Sequence, residues 1–221
     1  APASMSGDWK CQTGSSISNN NVGSITINNV AGTGTTVGFR GIFLSSTTGT
    51  TRTMNNNTIG GTAAGSITDN IVGNYGAYGM QMGGSSLTAS GNIIRNITAN
   101  ANGAVVTVGG FLASGSTGAN TISQNTIHSL SDIVTGGSSG AVYAMSLGLP
   151  TAANVVERNF IHSISATSTF TTYQTWGIAT GTTGTATYRN NMIRLGLDAA
   201  GASITTGFSV IGIRESAGPV N

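Results

Sequence analysis

Apolar residues recur along this chain in a short pattern that repeats at a nearly constant distance. Residues 120–130 and 154–164 share the form Asn-x-x-x-x-Asn-x-Ile-His-Ser, and residues 186–195 carry a shortened copy. The second asparagine of these copies is Asn125, Asn159 and Asn191, and the two spacings between them are 34 and 32 residues. A period of this length is typical of proteins that stack one structural unit on the next.

The pattern extends toward the N-terminus when this asparagine is taken as an anchor. Asn96 lies 29 residues before Asn125, Asn70 lies 26 before Asn96, and Asn57 lies only 13 before Asn70, where the register slips. Across these anchors, the positions three before and two after are apolar or aromatic in eleven of twelve cases. They predict two columns of inward-pointing side chains.

A second pattern lies between the anchors and consists of short β-branched or apolar runs with a small residue inside. These runs are residues 37–44, 78–82, 105–108, 142–147, 175–179 and 210–213. Runs with helical periodicity are absent, and Gly, Ser, Thr and Asn fill the connections. Each unit therefore predicts two or three strands, which corresponds to one coil of a parallel β-solenoid. The sequence predicts an all-β fold of about six or seven coils.

The repeated asparagines have a structural explanation in such a fold. Side-chain amides that stack from coil to coil can hydrogen-bond to one another in a ladder. Asparagine also tolerates the left-handed backbone conformation found at sharp corners. The sequence predicts this ladder at Asn96, Asn125, Asn159 and Asn191.

The Asn-x-Ile-x-x-Asn-x-Ile pattern resembles the repeat of parallel β-helix proteins of the pectate-lyase-like superfamily. Residues 159–164 and 190–198 look more narrowly like large secreted bacterial β-helix repeat proteins of unassigned function. The resemblance covers roughly residues 50–215 and implies a right-handed parallel β-helix. It leaves the function open, because this superfamily includes lyases, hydrolases, adhesins and passive stalks.

Length and composition fit a single solenoid domain over residues 1–221. Residues 31–221 are predicted to form the repeat coils, and residues 1–30 an irregular N-terminal cap or an incomplete first coil. Charged residues make up only 6% of the chain and the net charge is +2, so a nucleic-acid partner is not indicated. No run approaches the length of a membrane span. Cys11 is the only cysteine, and the low-charge composition suggests an extracellular or cell-surface protein. The resemblance to large secreted bacterial proteins implies a bacterial, secreted one.

Few residues are candidates for chemistry. Tyr143 and Trp176 fall on the second strand column, where outward-facing rings could stack on a sugar, although burial is an equal alternative. Arg158 and Arg189 lie near Glu157 on neighbouring coils, where they could hold an anionic sugar or simply fix the register. These four residues, Tyr143, Trp176, Arg158 and Arg189, form the predicted carbohydrate-binding set. No catalytic residue, metal ligand set or cofactor is predicted.

The remaining polar candidates favour structural roles. His128 and His162 share one column, but two histidines without a further ligand are too few for a metal site. Asp132 and Asp198 occupy equivalent positions two coils apart, a spacing that is marginal for a glycosidase pair.

The sequence therefore favours a structural or adhesive extracellular solenoid over an enzyme. Such a chain is expected to be a segment of a larger surface protein or to self-associate end to end into a filament. The alternative is a β-helix that binds or cleaves carbohydrate.

Overall fold

The computed structural model describes residues 16–29, 38–44, 51–71, 75–100, 105–114, 118–133, 139–149, 153–167, 172–181, 184–205 and 208–216. Over these ranges the chain forms twenty strands and no helix. In chain order the strands are β1 (Ser16–Ser18), β2 (Asn21–Val22), β3 (Ile25–Asn29), β4 (Phe39–Leu44), β5 (Thr51–Asn55), β6 (Thr58–Ile59), β7 (Ile67–Ile71), β8 (Tyr75–Gly83), β9 (Ser86–Ser90), β10 (Ile93–Ala99), β11 (Val105–Ser114), β12 (Asn120–Ser123), β13 (Thr126–Asp132), β14 (Ser139–Gly148), β15 (Asn154–Glu157), β16 (Phe160–Ala166), β17 (Gln174–Thr180), β18 (Ala186–Arg189), β19 (Met192–Arg194) and β20 (Ser209–Glu215).

These strands form three parallel sheets, and the chain visits the sheets in turn. Sheet A contains β1, β5, β9, β12, β15 and β18 in that order, and sheet C contains β4, β8, β11, β14, β17 and β20. Sheet B contains β2, β6, β10, β13, β16 and β19, with β3 and β7 beside them. Each sheet is thus six coils deep, and the chain makes five turns between its first and last strand. The predicted parallel β-solenoid is confirmed, close to the predicted number of coils.

The core runs along the axis of the solenoid as stacked columns of apolar side chains. The positions three before and two after Asn125 and Asn159 are fully buried, as predicted; they are Ile122, Ile127, Val156 and Ile161. Successive members of a column lie in direct register on neighbouring strands, for example Ile127 opposite Ile161. Each side chain therefore packs against its own equivalents in the coils on either side.

The predicted asparagine ladder is present at the corner between sheets A and B. Asn125 Nδ2 lies 3.0 Å from Asn159 Oδ1, and Asn159 Nδ2 lies 2.9 Å from Asn191 Oδ1. Each of these oxygens also accepts the backbone N–H of the preceding asparagine, at 3.0 and 3.1 Å. The full ladder is Asn20, Asn57, Asn92, Asn125, Asn159 and Asn191.

Asn96 is not a member of the ladder, and its prediction was wrong. Asn92 takes that place, since its Nδ2 donates to Asn125 Oδ1 at 2.9 Å, whereas Asn96 Nδ2 donates to the Gly61 carbonyl oxygen at 2.7 Å. With Asn92 and Asn57 as anchors the spacing becomes regular. Ala89 and Ile94 then lie in the inward columns, whereas Ile93, inward in the predicted register, is only half-buried.

Asn96 misleads because it occupies a different strained position that also suits asparagine. It has φ +54°, and the equivalent residues Ser129 and Ser163 have φ +55° and +54°. The left-handed residue at the corner itself is the one before each ladder asparagine, such as Arg158 with φ +55° and Asn190 with φ +54°. The sequence predicts two roles for one asparagine, but at the corner two consecutive residues share them. The first adopts the left-handed conformation that turns the chain, and the second forms the ladder.

Close approach between sheets B and C depends on a column of small residues in sheet C. A Cβ added at Gly79 would lie 2.4 Å from Ile94 Cγ2, and one added at Gly110 would lie 2.6 Å from Ile127 Cγ2. The column consists of Gly41, Gly79, Gly110, Ala144, Gly177 and Gly212. This is the small residue seen inside the second sequence pattern. It leaves the space that the isoleucine column of sheet B fills.

Candidate functional site

The outer surface of sheet C carries the predicted aromatic residues in one row. The rings of Tyr143 and Trp176 stack with centroids 6.1 Å apart and an interplanar angle of 17°. Tyr78 and Tyr143 lie 6.4 Å apart at 34°, on either side of Gly109. A Cβ at Gly109 would lie 2.6 Å from the Tyr143 ring, so the glycine makes room for the two rings.

The ring faces in this row are largely used within the protein. The Arg214 guanidinium lies 4.7 Å from the centroid of Trp176, whose neighbour in the row is Tyr143. Arg214 Nη1 also donates to Gln174 Oε1 at 2.9 Å, which holds it in place. Tyr143 is only 6% exposed, and its burial, followed by its proximity to Tyr78, raises the pKa of its hydroxyl above the usual range. Sugar-binding aromatic platforms need an open ring face, whereas this row resembles an internal ladder.

A shallow groove lies beside Trp176. It has a volume of about 240 Å³ and is lined by Ser146, Leu147, Gly148, Trp176, Ala179, Thr180, Gly181, Arg214 and Ser216. Hydroxyl groups, a guanidinium and an indole border the same space, a mixture that could bind a small polar ligand. The volume is below the usual range for sites that enclose a drug-sized ligand.

Arg158 and Arg189, the other two predicted carbohydrate-binding residues, do not join this row. Arg189 is on β18 of sheet A, where its Nε lies 2.5 Å from Glu157 Oε2. Arg158 is exposed at the corner between sheets A and B. The four predicted residues therefore fall on separate surfaces, with Tyr143 and Trp176 on sheet C. Carbohydrate binding by any of them stays a prediction.

The outer surface of sheet B carries a second ordered row, which contains both histidines. The His128 and His162 rings are nearly parallel, with centroids 4.6 Å apart and an interplanar angle of 7°. The Nδ1 atoms lie 2.9 Å from Ser129 Oγ and 3.0 Å from Ser163 Oγ. Each histidine is therefore hydrogen-bonded to the serine that follows it.

Two arginines continue this row in register. Arg95 pairs with His128 on one side, and Arg194 pairs with His162 on the other. Burial, with the neighbouring His162 and Arg95, lowers the pKa of His128 to about 4. Burial and Arg194 also lower the pKa of His162. Both rings are therefore neutral at pH 7 and gain charge only in acid.

Two carboxyl groups of sheet B are buried inside the solenoid. Asp69 is fully buried, and its desolvation raises the pKa of the carboxyl to about 6, against a hydrogen bond from the Ile71 N–H that lowers it. Asp132 is also fully buried and accepts a hydrogen bond from the Tyr173 hydroxyl. They lie in one column, separated by Ala99.

Asp132 and Asp198, considered above as a carboxylate pair, have different surroundings. Asp198 lies in a turn after β19, where its Oδ1 accepts the N–H groups of Ala200 and Ala202 at 2.9 and 2.8 Å. Asp132 is enclosed in the core. Among the described residues, no group of three or more His, Cys, Asp and Glu side chains could hold a metal ion. No helix in these ranges is long and apolar enough to span a membrane.

Sequence reasoning missed the partners that complete these rows. Arg95 joins the histidine column only when Asn92 replaces Asn96 as the anchor, because the wrong anchor moves it by four positions. Arg214 lies three residues beyond Ile211, the residue in register with Trp176. Arg214 is the equivalent of Ala179 in the preceding coil, and the spacing of the second sequence pattern could have predicted this. Cys11 lies outside the described residues, as do residues 1–15 of the predicted N-terminal segment.

Comparison of the chain with protein-family models, curated proteins and solved structures found no match, so its resemblance to the pectate-lyase-like superfamily stays a resemblance of pattern and fold.

Proposed function

We propose that this protein is a structural and adhesive β-solenoid that acts outside the cell and extends by stacking copies end to end. The observation that carries the proposal is the exposed edge of the last described coil. Strands β18, β19 and β20 each end the strand order of their sheet in the described part of the chain. Unpaired parallel edges of this kind present rows of hydrogen-bonding groups to another chain.

Apolar core positions become exposed at this end. Val210 is 42% exposed and Ile213 is 48% exposed. Their equivalents one coil earlier, Thr175 and Ile178, are fully buried. The hairpin formed by residues 197–203 and its flanks packs Leu195 and Ile204 against the core but leaves Val210 and Ile213 uncovered. Covering exposed apolar side chains with a further coil would be favourable by about 25 cal/mol per Å².

The asparagine ladder gives the two ends complementary polarity. Within the protein each ladder asparagine donates from its N–H and Nδ2 to Oδ1 of the asparagine in the next coil, as Asn159 does to Asn191. Among the described residues Asn191 is the last member of the ladder, and no further ladder asparagine accepts from its N–H or Nδ2. Asn20, which is exposed in the first coil, donates to Asn57 and so begins the ladder with an acceptor, its Oδ1. This polarity favours head-to-tail contact, which is heterologous and produces filaments rather than closed dimers.

The low charge of the chain supports the same proposal. Charged residues make up 6% of the sequence and the net charge is +2, so copies repel one another weakly. The composition, rich in Gly, Thr, Ser and Asn, supports an extracellular location.

Sedimentation velocity over a micromolar concentration series tests the proposal. We expect the wild-type chain to form a concentration-dependent series of larger species. Ile213→Arg should suppress them, because it places a charge on the exposed end. Ile133→Arg is the matched control, since Ile133 is 42% exposed but lies at the end of β13 in an inner coil. A wild-type chain that stays monomeric, or equal effects of the two variants, would overturn the proposal.

Carbohydrate binding is a second candidate function, favoured by the groove beside Trp176. Its hydroxyl and guanidinium groups suit a short neutral glycan lying against the indole edge. Glycan-array binding that Trp176→Ala abolishes and Tyr78→Phe leaves unchanged would support this role. Binding that persists in Trp176→Ala would exclude the groove.

A further inference from the structure

Four nitrogen-containing side chains form a continuous column on the outer surface of sheet B. Arg95 on β10, His128 on β13, His162 on β16 and Arg194 on β19 occupy equivalent positions of consecutive coils. The two imidazole rings are 4.6 Å apart, close to the spacing of about 4.8 Å between neighbouring strands. The column therefore presents hydrogen-bond donors at the coil repeat.

Each histidine offers a donor at Nε2 in its charged form, and in its neutral form when the ring proton is on that atom. A serine hydroxyl occupies Nδ1 of each ring, at 2.9 Å for His128 and 3.0 Å for His162. When the hydroxyl donates to Nδ1, the ring proton resides on Nε2, which remains the group available to a ligand. Protonation adds a positive charge and makes both ring nitrogens donors.

The charges around this column are all positive on its own surface. Arg95 and Arg194 flank the rings, and Phe160 packs against His162 with ring centroids 4.7 Å apart. The carboxyl groups of sheet B in the described ranges, Asp69 and Asp132, are buried inside the solenoid. On sheet A, Glu157 is paired with Arg189.

We propose that this column, Arg95–His128–His162–Arg194, binds a linear sulfated polysaccharide that lies along the stacking axis of the coils. Sulfate groups spaced along a chain can accept charge-assisted hydrogen bonds from successive donors, and these are the stronger class of hydrogen bond. The site is independent of end-to-end stacking, because the side surface of a solenoid stays accessible in a filament.

The titration of the histidines favours sulfate over carboxylate. Burial, with His162 and Arg95, lowers the pKa of His128 to about 4, and burial with Arg194 lowers that of His162. Carboxylates, with ordinary pKa values of about 4, lose their charge over the range in which these rings gain theirs. A sulfate ester stays ionised throughout, so its attraction to the column grows steadily as the pH falls.

The geometry also favours a polysaccharide over a single-stranded nucleic acid. Nucleic acids without sequence-specific contacts rely on bases that stack on open aromatic rings. Here the His128 and His162 rings stack on each other, and the Phe160 ring packs against His162 with an interplanar angle of 36°. The row therefore offers edges and charges rather than stacking surfaces.

Isothermal titration calorimetry with dextran sulfate tests the proposal, at about pH 7 and about pH 4 in low salt. We expect tighter binding at the lower pH. The double variant His128→Gln/His162→Gln should bind at least about tenfold more weakly at the lower pH and lose the pH dependence. The control, Arg40→Gln, removes an exposed charge from sheet C and should stay within about twofold of wild type.

Unsulfated dextran, polygalacturonate and oligo(dT) complete the experiment. The proposal predicts that at about pH 4 all three bind much more weakly than dextran sulfate. It is overturned if dextran sulfate does not bind, if the histidine variant binds as wild type does, or if polygalacturonate or oligo(dT) binds equally well. Circular dichroism checks that each variant is folded. Should the double variant fail this check, Arg194→Gln, an exposed substitution, provides the deciding measurement and should weaken binding several-fold.

Discussion

Asp69 is a carboxyl group whose burial is only partly compensated by hydrogen bonds. Its Oδ1 accepts the Ile71 N–H at 3.1 Å, while Oδ2 has no hydrogen-bond partner among the described residues. The equivalent position in the next coil is Ala99, so the solenoid itself does not require an acid there. An ionised carboxylate at this position is costly, and the fold favours its protonated form.

Asp69→Asn should therefore change the pH dependence of stability. The pKa of Asp69 is raised from 3.8 to about 6, so its contribution is fully present below pH 3.8 and is lost as the pH rises through about 6. Asparagine cannot ionise, so the variant does not lose stability in this way. Relative to wild type, its free energy of unfolding should rise between about pH 4 and pH 7, by at most about 3 kcal/mol. The difference in denaturant-unfolding free energy between the two proteins measures it.

The histidines act in the opposite direction over the same pH range, which is why the difference must be taken at each pH. Their lowered pKa values favour the folded state above about pH 6.5 and oppose it as the pH falls toward about 4. They are common to both proteins and cancel in the comparison. A pH-independent difference for Asp69→Asn would contradict the assignment.

Asn125 shows what one member of the ladder contributes. Its Nδ2 donates to Asn159 Oδ1 and to the Ala89 carbonyl oxygen, both at 3.0 Å, and its Oδ1 accepts two hydrogen bonds from Asn92. Asn125→Ala should lower the free energy of unfolding by about 3 kcal/mol, because it leaves buried partners unsatisfied on both sides. Chemical denaturation checks this. Asn100→Ala, at an exposed position, should cost less than about 0.5 kcal/mol.

At the residue scale, the sequence correctly predicted that asparagine side chains form a ladder, but it did not identify every residue in that ladder. Asn125, Asn159 and Asn191 were identified because their copies keep the same neighbours. Asn92 was missed because Asn96, four residues later, also has apolar neighbours at plausible distances. Both sites suit asparagine for different physical reasons, one for its amide and one for its left-handed backbone. Sequence spacing alone does not separate those reasons.

At the element scale, the distance between sheets B and C is set by the small-residue column of sheet C. A Cβ added at Gly110 would lie 2.6 Å from Ile127 Cγ2 and 2.6 Å from the Ala144 carbonyl oxygen. The missing side chain therefore leaves the space that these two atoms need. The contact to a backbone oxygen is the harder one to relieve, because moving it would disturb β14.

Gly110→Ala should therefore destabilise the protein by about 1–3 kcal/mol, as expected for overpacking of a close contact. Gly148→Ala is the matched control, because its Cβ would meet only the Ala113 carbonyl oxygen, at 3.7 Å. That substitution should be neutral or slightly stabilising. Thermal unfolding of the two variants compares them directly. Equal effects would show that the column does not determine the spacing of the sheets.

The strands themselves were well predicted, because short apolar runs and their period mark all three sheets. The irregular second coil was not. Between Ile59 and Ile67 the chain contains five residues more than between their partners Ile94 and Ile97. This insertion divides the sheet B strand into β6 and β7 and places Asn70 outside the ladder. An insertion of this kind changes the sequence spacing without changing how the strands stack. A prediction that assumes a fixed period therefore assigns the residues of this coil to the wrong positions.

At the scale of the whole molecule, each described strand is paired with its equivalents in the neighbouring coils. Stability in such an architecture is a sum of coil and interface contributions, so a defect is felt most strongly nearby. Inner coils have neighbours on both sides, whereas the last coil has only one among the described strands. The same substitution should therefore have very different consequences in an inner coil and in the last one.

Ile161→Asp and Ile213→Asp provide this comparison. Ile161 in β16 is fully buried, whereas Ile213 in β20 is 48% exposed. An unpaired charge at Ile161 costs several kcal/mol, roughly 3–5, and should unfold the coils around β13, β16 and β19. At Ile213 the carboxylate stays hydrated, and the cost should remain within about 1 kcal/mol.

Hydrogen exchange measured strand by strand distinguishes the outcomes. We expect Ile161→Asp to remove protection from the C-terminal coils while β5 and β8 keep theirs, because those strands do not contact the altered coil. Loss of protection throughout the chain would instead show that the solenoid unfolds as one cooperative unit.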